Sequence, residues 1–179
     1  LTGEVPNANV ATVGVAKGGT GLTSGTSGQF LKFTGSTTLA SSADNAGKIL
    51  QVQSLTLATE AATTSSSFAD TSLTKAITPS STSNKVLITV NHGMHYTSSG
   101  TEGQFKINRT TGDTSLTTYV INLDAVASSG GGGVQYLDSP SSTSAITYTV
   151  QMKRSNGGGS VVLCANNSSA SITLEEISA

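Results

Sequence analysis

Residues 145–153 read AITYTVQMK. Ile146, Tyr148, Val150 and Met152 alternate with Thr147, Thr149 and Gln151. With a two-residue repeat, the four large apolar side chains share one face and the polar ones the other, the pattern of a half-buried β-strand. QFKINR at 104–109 repeats it, with Phe105 and Ile107 opposed to Gln104, Lys106 and Asn108. KILQVQSLTLAT (48–59), KVLITVNH (85–92), TTYVINLDAV (117–126), SVVLCA (160–165) and SITLEEI (171–177) extend the series. Turn-forming stretches separate them: TPSSTSN, TSSGTEG, SSGGGG, DSPSSTS and RSNGGG. No helical periodicity intervenes. Residues 47–179 are therefore expected to form eight or nine antiparallel strands, packed as a sandwich of jelly-roll type, with an immunoglobulin-like sandwich as the nearest competitor.

Composition narrows the function. The 179 residues carry a formal charge of -1, and charged residues make up 11%, against about 25% in ordinary soluble domains. Serine and threonine, 28 of each, take their place, so hydroxyls rather than ions keep the surface wet. Seven lysines and two arginines are scattered along the chain, whereas a nucleic-acid partner calls for a clustered basic surface. The longest apolar run, Val161 to Ala165, is far short of the roughly 20 residues of a membrane helix, so membrane insertion is not expected. The single cysteine, Cys164, lies among apolar neighbours and reads as a small buried hydrophobe. The chain begins at Leu1, which suggests that something N-terminal is missing.

The residues offer no catalytic constellation. His92 and His95 stand three apart on a strand and so point to opposite faces; NHGMH reads as a strand end entering a loop. A metal would need one such histidine from each of several chains. Glu175 and Glu176 are the only adjacent acids, and strand neighbours also face opposite ways. GVAKGGTG lacks the Gly-Lys-Ser/Thr ending of a phosphate-binding loop. Neither enzymatic activity nor a cofactor is expected.

Residues 1–46 differ from the rest. Glycines recur every few positions, and Val13, Val15, Leu22, Phe30, Leu31 and Phe33 are too sparse to build a core within one chain. Burying such side chains contributes about 1.5–3 kcal/mol apiece, against about 1–2 kcal/mol of backbone entropy for every residue ordered. The segment is thus either a flexible linker or an extended strip that buries these residues against copies of itself.

Here the sequence resembles a known family. GEVPNANV, followed by VAKGGTGLTSGTSGQFLKF, is similar to a module of bacteriophage tail and head fibres in which GGTG precedes a Gly-Gln-aliphatic-Leu step. ITPSSTSNKVLITV, YLDSPSSTSAITYTVQMK and SITLEEISA resemble the distal domain that often follows in phage fibres. The sequence departs at Glu175, where methionine is common, and at Phe30, which replaces the more usual valine or isoleucine. The resemblance implies an all-β virion protein: a trimerising shaft over 1–46 and a distal sandwich over 47–179. Lys17, Gly18, Gly19, Gly21, Leu22, Phe30, Leu31 and Phe33 would form the shaft of the homotrimer. A missing upstream part would join it to other virion proteins, and the sandwich would meet a host cell-surface glycan or protein. His95, Tyr96, Arg109, Tyr136 and Arg154 are the least generic side chains near loops and the candidate receptor contacts. Two other readings are a capsid or tail decoration without receptor binding and a trimeric bacterial adhesin.

Overall fold

The computed structural model describes residues 29–33, 39–42, 47–97, 100–110, 114–121 and 128–179. The chain divides into two units, Leu1–Asn45 and Ala46–Ala179. In the first, β1 (Phe30–Phe33) pairs antiparallel with β2 (Leu39–Ser42). Phe30, Leu31 and Phe33 are each more than half exposed there.

The second unit holds β3 (Ile49–Leu57), β4 (Ala61–Thr63), β5 (Ala69–Ile77), β6 (Lys85–Thr97), β7 (Glu102–Arg109) and β8 (Thr114–Ile121). β9 (Ser128–Asp138), β10 (Ile146–Asn156), β11 (Val161–Leu163) and β12 (Ala170–Ile177) follow. One sheet runs β5-β10-β7-β8. In the other, β12 lies between β3 and the first part of β6, β11 lies between β4 and its last part, and β9 covers the opposite edge of β6. β3 with β4, and β11 with β12, are each one interrupted strand. Counted so, the eight strands fall into sheets 1-8-3-6 and 2-7-4-5, with every pairing antiparallel. That is the jelly roll rather than the immunoglobulin order.

The alternation read from the sequence decides which side chains go inside. Tyr148, Val150 and Met152 of β10 and Phe105 and Ile107 of β7 meet Val86, Ile88 and Val90 of β6 and Ile172 and Leu174 of β12 in one core drawn from both sheets. Leu55 and Leu57 pack against it, but Ile49, Leu50 and Val52 at the start of the same strand are exposed.

Two segments differ from the sequence reading. SSGGGG is not a turn: Ser128–Gly133 opens β9 and pairs with Asn91 through Thr97. The reason is close approach, since a Cβ on Gly133 would lie 2.7 Å from the Asn91 side chain and one on Gly131 3.0 Å from the Gly93 carbonyl. Nor does NHGMH end a strand. β6 crosses it, with the register shifting between His92 and His95. Opposite this point, Cys164–Ser169 bulges out between β11 and β12, with Cys164, Asn166 and Asn167 at φ of 62, 54 and 58°. The Gly93 amide donates to the Ser169 carbonyl at 2.9 Å. Cys164 is buried, and burial pushes its thiol pKa up.

β10 and β11 are joined by a glycine turn in which Gly157 has φ of 79°. A Cβ there would collide with the Gly100 carbonyl, whereas one on Gly158 meets nothing. Gly157→Ala should destabilise the chain by about 1–3 kcal/mol in urea unfolding, with Gly158→Ala at about 1 kcal/mol or less.

Candidate functional site

Two polar clusters lock the sandwich and one cluster stands on its surface. The first lock is built on Glu176. Its place in β12 has the same parity as Ile172 and Leu174, so its carboxylate is carried inward and is 1% exposed. The Gln51 amide donates to Oε2 at 2.6 Å. The Ser80 amide (2.7 Å), the Ser80 hydroxyl (2.7 Å) and the Asn84 amide (2.6 Å) donate to Oε1. Gln51 also donates to the Thr78 carbonyl, and Asn84 Oδ1 accepts from the Ala179 amide. The cluster therefore ties β3, the TPSSTSN turn and the C-terminal strand together. Burial alone would push the Glu176 pKa up, but the donations from Gln51, Asn84 and Ser80 outweigh it and hold the carboxyl at about 2.

The second lock joins the sheets. Asp138 of β9 receives Arg109 Nη1 at 2.9 Å on Oδ2 and 3.2 Å on Oδ1, and the Tyr148 hydroxyl donates to Oδ2 at 2.8 Å. Arg109 ends β7 and Tyr148 lies on β10, so the contact spans the core between opposite sheets. Burial, reinforced by this carboxylate acceptor, raises the Tyr148 pKa and keeps the phenol protonated.

The third cluster lies on the outer face of the β5-β10-β7-β8 sheet. Lys106 and Lys153 occupy outward positions of β7 and β10; Lys106 pairs with Gln151 and Lys153 with Gln104, so the two lysines stand diagonally across neighbouring strands. Their ammoniums stand 4.7 and 4.8 Å from the centroid of the Phe68 ring, which comes from the loop before β5. The ring quadrupole holds both cations at once. Asp70, beside Phe68 in sequence, accepts from Gln151 Nε2 at 2.6 Å. Among the described residues, no group of three His, Cys, Asp or Glu stands close enough to hold a metal.

The structure distributes the residues nominated from the sequence. Arg109 serves the Asp138 lock, and Tyr136 packs against the core opposite Ile88. Arg154 is half-buried at the end of β10; its Nη1 reaches the Gly159 carbonyl at 3.4 Å and its amide donates to the Ser65 carbonyl at 2.7 Å. His95 and Tyr96 lie on β6 with their backbones opposite Leu163 and Val162, and their side chains are not among those described. Lys17, Gly18, Gly19, Gly21 and Leu22 lie outside the described residues. The sequence reading missed Phe68, Lys106 and Lys153 as a group. The outward parity of the two lysines was legible, but the partnership depends on a loop that carries Phe68 over both strands.

No family model matches the chain, and no curated protein does. Among solved structures, one of infectious bursal disease virus, Gx strain, aligns at 14% identity and a TM-score of 0.43, covering 83% of this chain and 41% of that one. A VP2 subviral particle of the same virus aligns at 9% identity and a TM-score of 0.35, covering 82% and 42%. The chain thus spans about two fifths of the length of these structures.

Glu176 has a folded-state pKa below its unfolded value of about 4.3, so it stabilises the fold above that pH and ceases to as pH falls toward 2. Glu176→Gln, which turns an amide donor toward other donors, should cost about 2–4 kcal/mol in urea unfolding at pH 7, and the gap from the native chain should narrow by pH 3. Asp138→Ala strands the Arg109 guanidinium and the Tyr148 hydroxyl, and should cost about 3 kcal/mol or more in the same assay.

Proposed function

We propose that the chain is a non-enzymatic virion fibre protein, working as a homotrimer whose sandwich attaches the particle to a bacterial surface. The observation that carries this reading is the exposure of Phe30, Leu31 and Phe33 in the unit that bears the fibre-like GGTG and Gly-Gln-Phe-Leu motifs. Three large apolar side chains on a four-residue strand are left in water by one chain, and partner chains would remove them from it. The jelly roll suits the distal role: a rigid scaffold, locked at Glu176 and Asp138, presents weak contacts that threefold repetition turns into avidity.

The contact surface we favour is the cluster of Phe68, Lys106 and Lys153. An aromatic ring between two ammoniums fits an acidic surface glycan, whose carboxylates or phosphates the lysines would neutralise while the ring covers a sugar face.

Light scattering on the full chain is the first test. The expected native mass is that of three chains, and a folded single chain at working concentration would falsify the trimeric fibre. Attachment is read by adsorption of the labelled full chain to a panel of bacteria. Lys106→Glu with Lys153→Glu should lower adsorption at least tenfold and remove its dependence on salt. Undiminished adsorption would move the contact to another surface.

A further inference from the structure

We infer that the outer face of the β3-β12-β6-β9 sheet is the surface through which copies of the sandwich meet one another. The inference rests on the homotrimer proposed above and assigns its contact within the second unit.

The registers fix what this face carries. Val52, Glu175, Leu87 and Leu137 stand side by side across the four strands. At the adjoining end Ile49 pairs with Ile177, which pairs in turn with Lys85. The next row inward is Ser54, Thr173, Thr89 and Gln135, all neutral. One end of the sheet is thus apolar, and the described row beside it is hydroxyl and amide. Among the described residues of the second unit, the large exposed apolar ones are Ile49 at 55%, Leu50 at 43%, Val52 at 53% and Leu137 at 47% exposure, and all four belong to this end or border it. The opposite sheet is the contrast: its outward positions include Asp70, Lys106 and Lys153. One outer face carries several charges, and the rows named on the other are apolar or neutral apart from Glu175 and Lys85.

Three arguments make the occupant a second copy of this chain. The first is chemistry. The rows named carry only two charges, Glu175 and Lys85, of opposite sign and two residues apart in register, so a rotated copy can set each against the other. The second is connectivity. Ile49 lies only four positions beyond Asn45, the last residue of the first unit. At about 3.5 Å per residue those four steps span at most roughly 15 Å, so an assembly that gathers three copies of Asn45 also gathers three copies of Ile49. The third is area. Stable interfaces take about 800 Å² from each partner, more than four half-exposed side chains supply, and the flat neutral rows beside them provide the rest without burying unpaired charge. The shallow depression lined by Thr89, Asn91, Gly133, Val134 and Gln135 lies on this face and would be covered with it.

A cysteine probe in the full chain tests the surface. Leu137→Cys lies on the proposed contact, and Thr118→Cys on the outer face of the other sheet serves as its reference. Labelling by a bulky maleimide is followed at the concentration used for the native mass, with the labelling of buried Cys164 in the native chain subtracted. A three-chain mass with Leu137→Cys labelled at least tenfold more slowly than Thr118→Cys is the expected result. A three-chain mass with equal labelling rates overturns the surface and leaves the trimer standing. A single-chain mass overturns the trimer and the surface together. Should Leu137→Cys fail to fold, as judged by its thermal melt, Val52→Cys replaces it and is scored the same way.

Discussion

The sandwich depends on β6. This strand is hydrogen-bonded along both edges, to β12 and then β11 on one side and to β9 on the other, and its residues Val86, Ile88, Val90 and His92 all face inward. A chain with 4% aromatic residues must build its core from aliphatic side chains of modest size. Such a core holds only if each strand delivers its apolar residues on one parity, and β6 sets that parity for the three strands that lie against it. His92, stacked on Phe105 with ring centroids 5.3 Å apart, shows the same economy: a polar ring fills aromatic volume at the end of the core.

The polar clusters do what the small core leaves undone. Glu176 fixes the turn after β5 to the C-terminal strand, and Asp138 fixes one sheet to the other. Both place a carboxylate where its full complement of donors is met inside the protein, so neither leaves a buried charge without compensation. The remaining surfaces are thereby free to differ. One sheet displays a ring between two ammoniums, and the other a nearly uncharged plane. In the proposed trimer, the neutral face would turn toward the other copies and the charged face outward.

Much of this was legible in the sequence. AITYTVQMK and QFKINR are β10 and β7 almost residue for residue, because their alternation is unbroken. β5 was hidden, since its inward positions run Thr71, Leu73, Lys75 and Ile77, and Thr71 is buried with its hydroxyl donating to the Val150 carbonyl at 2.7 Å. The start of β9 was hidden for the opposite reason: glycines that usually mark a turn were there to let two backbones approach. Glu176 could have been placed by counting parity from Ile172. Phe68 could not, because its partners lie on two strands distant in sequence and only the tertiary path of a loop brings it to them.

The Cys164–Ser169 bulge has a consequence of its own. Six residues of one strand face two of its neighbour there, and the ladder resumes on each side with its own register. It works as an expansion joint. Length changes within it would be taken up locally, while β12 stays in phase and Glu176 stays seated. In a lineage under pressure to vary its surface, such a joint is a place where the chain can lengthen or shorten without re-indexing the sheet.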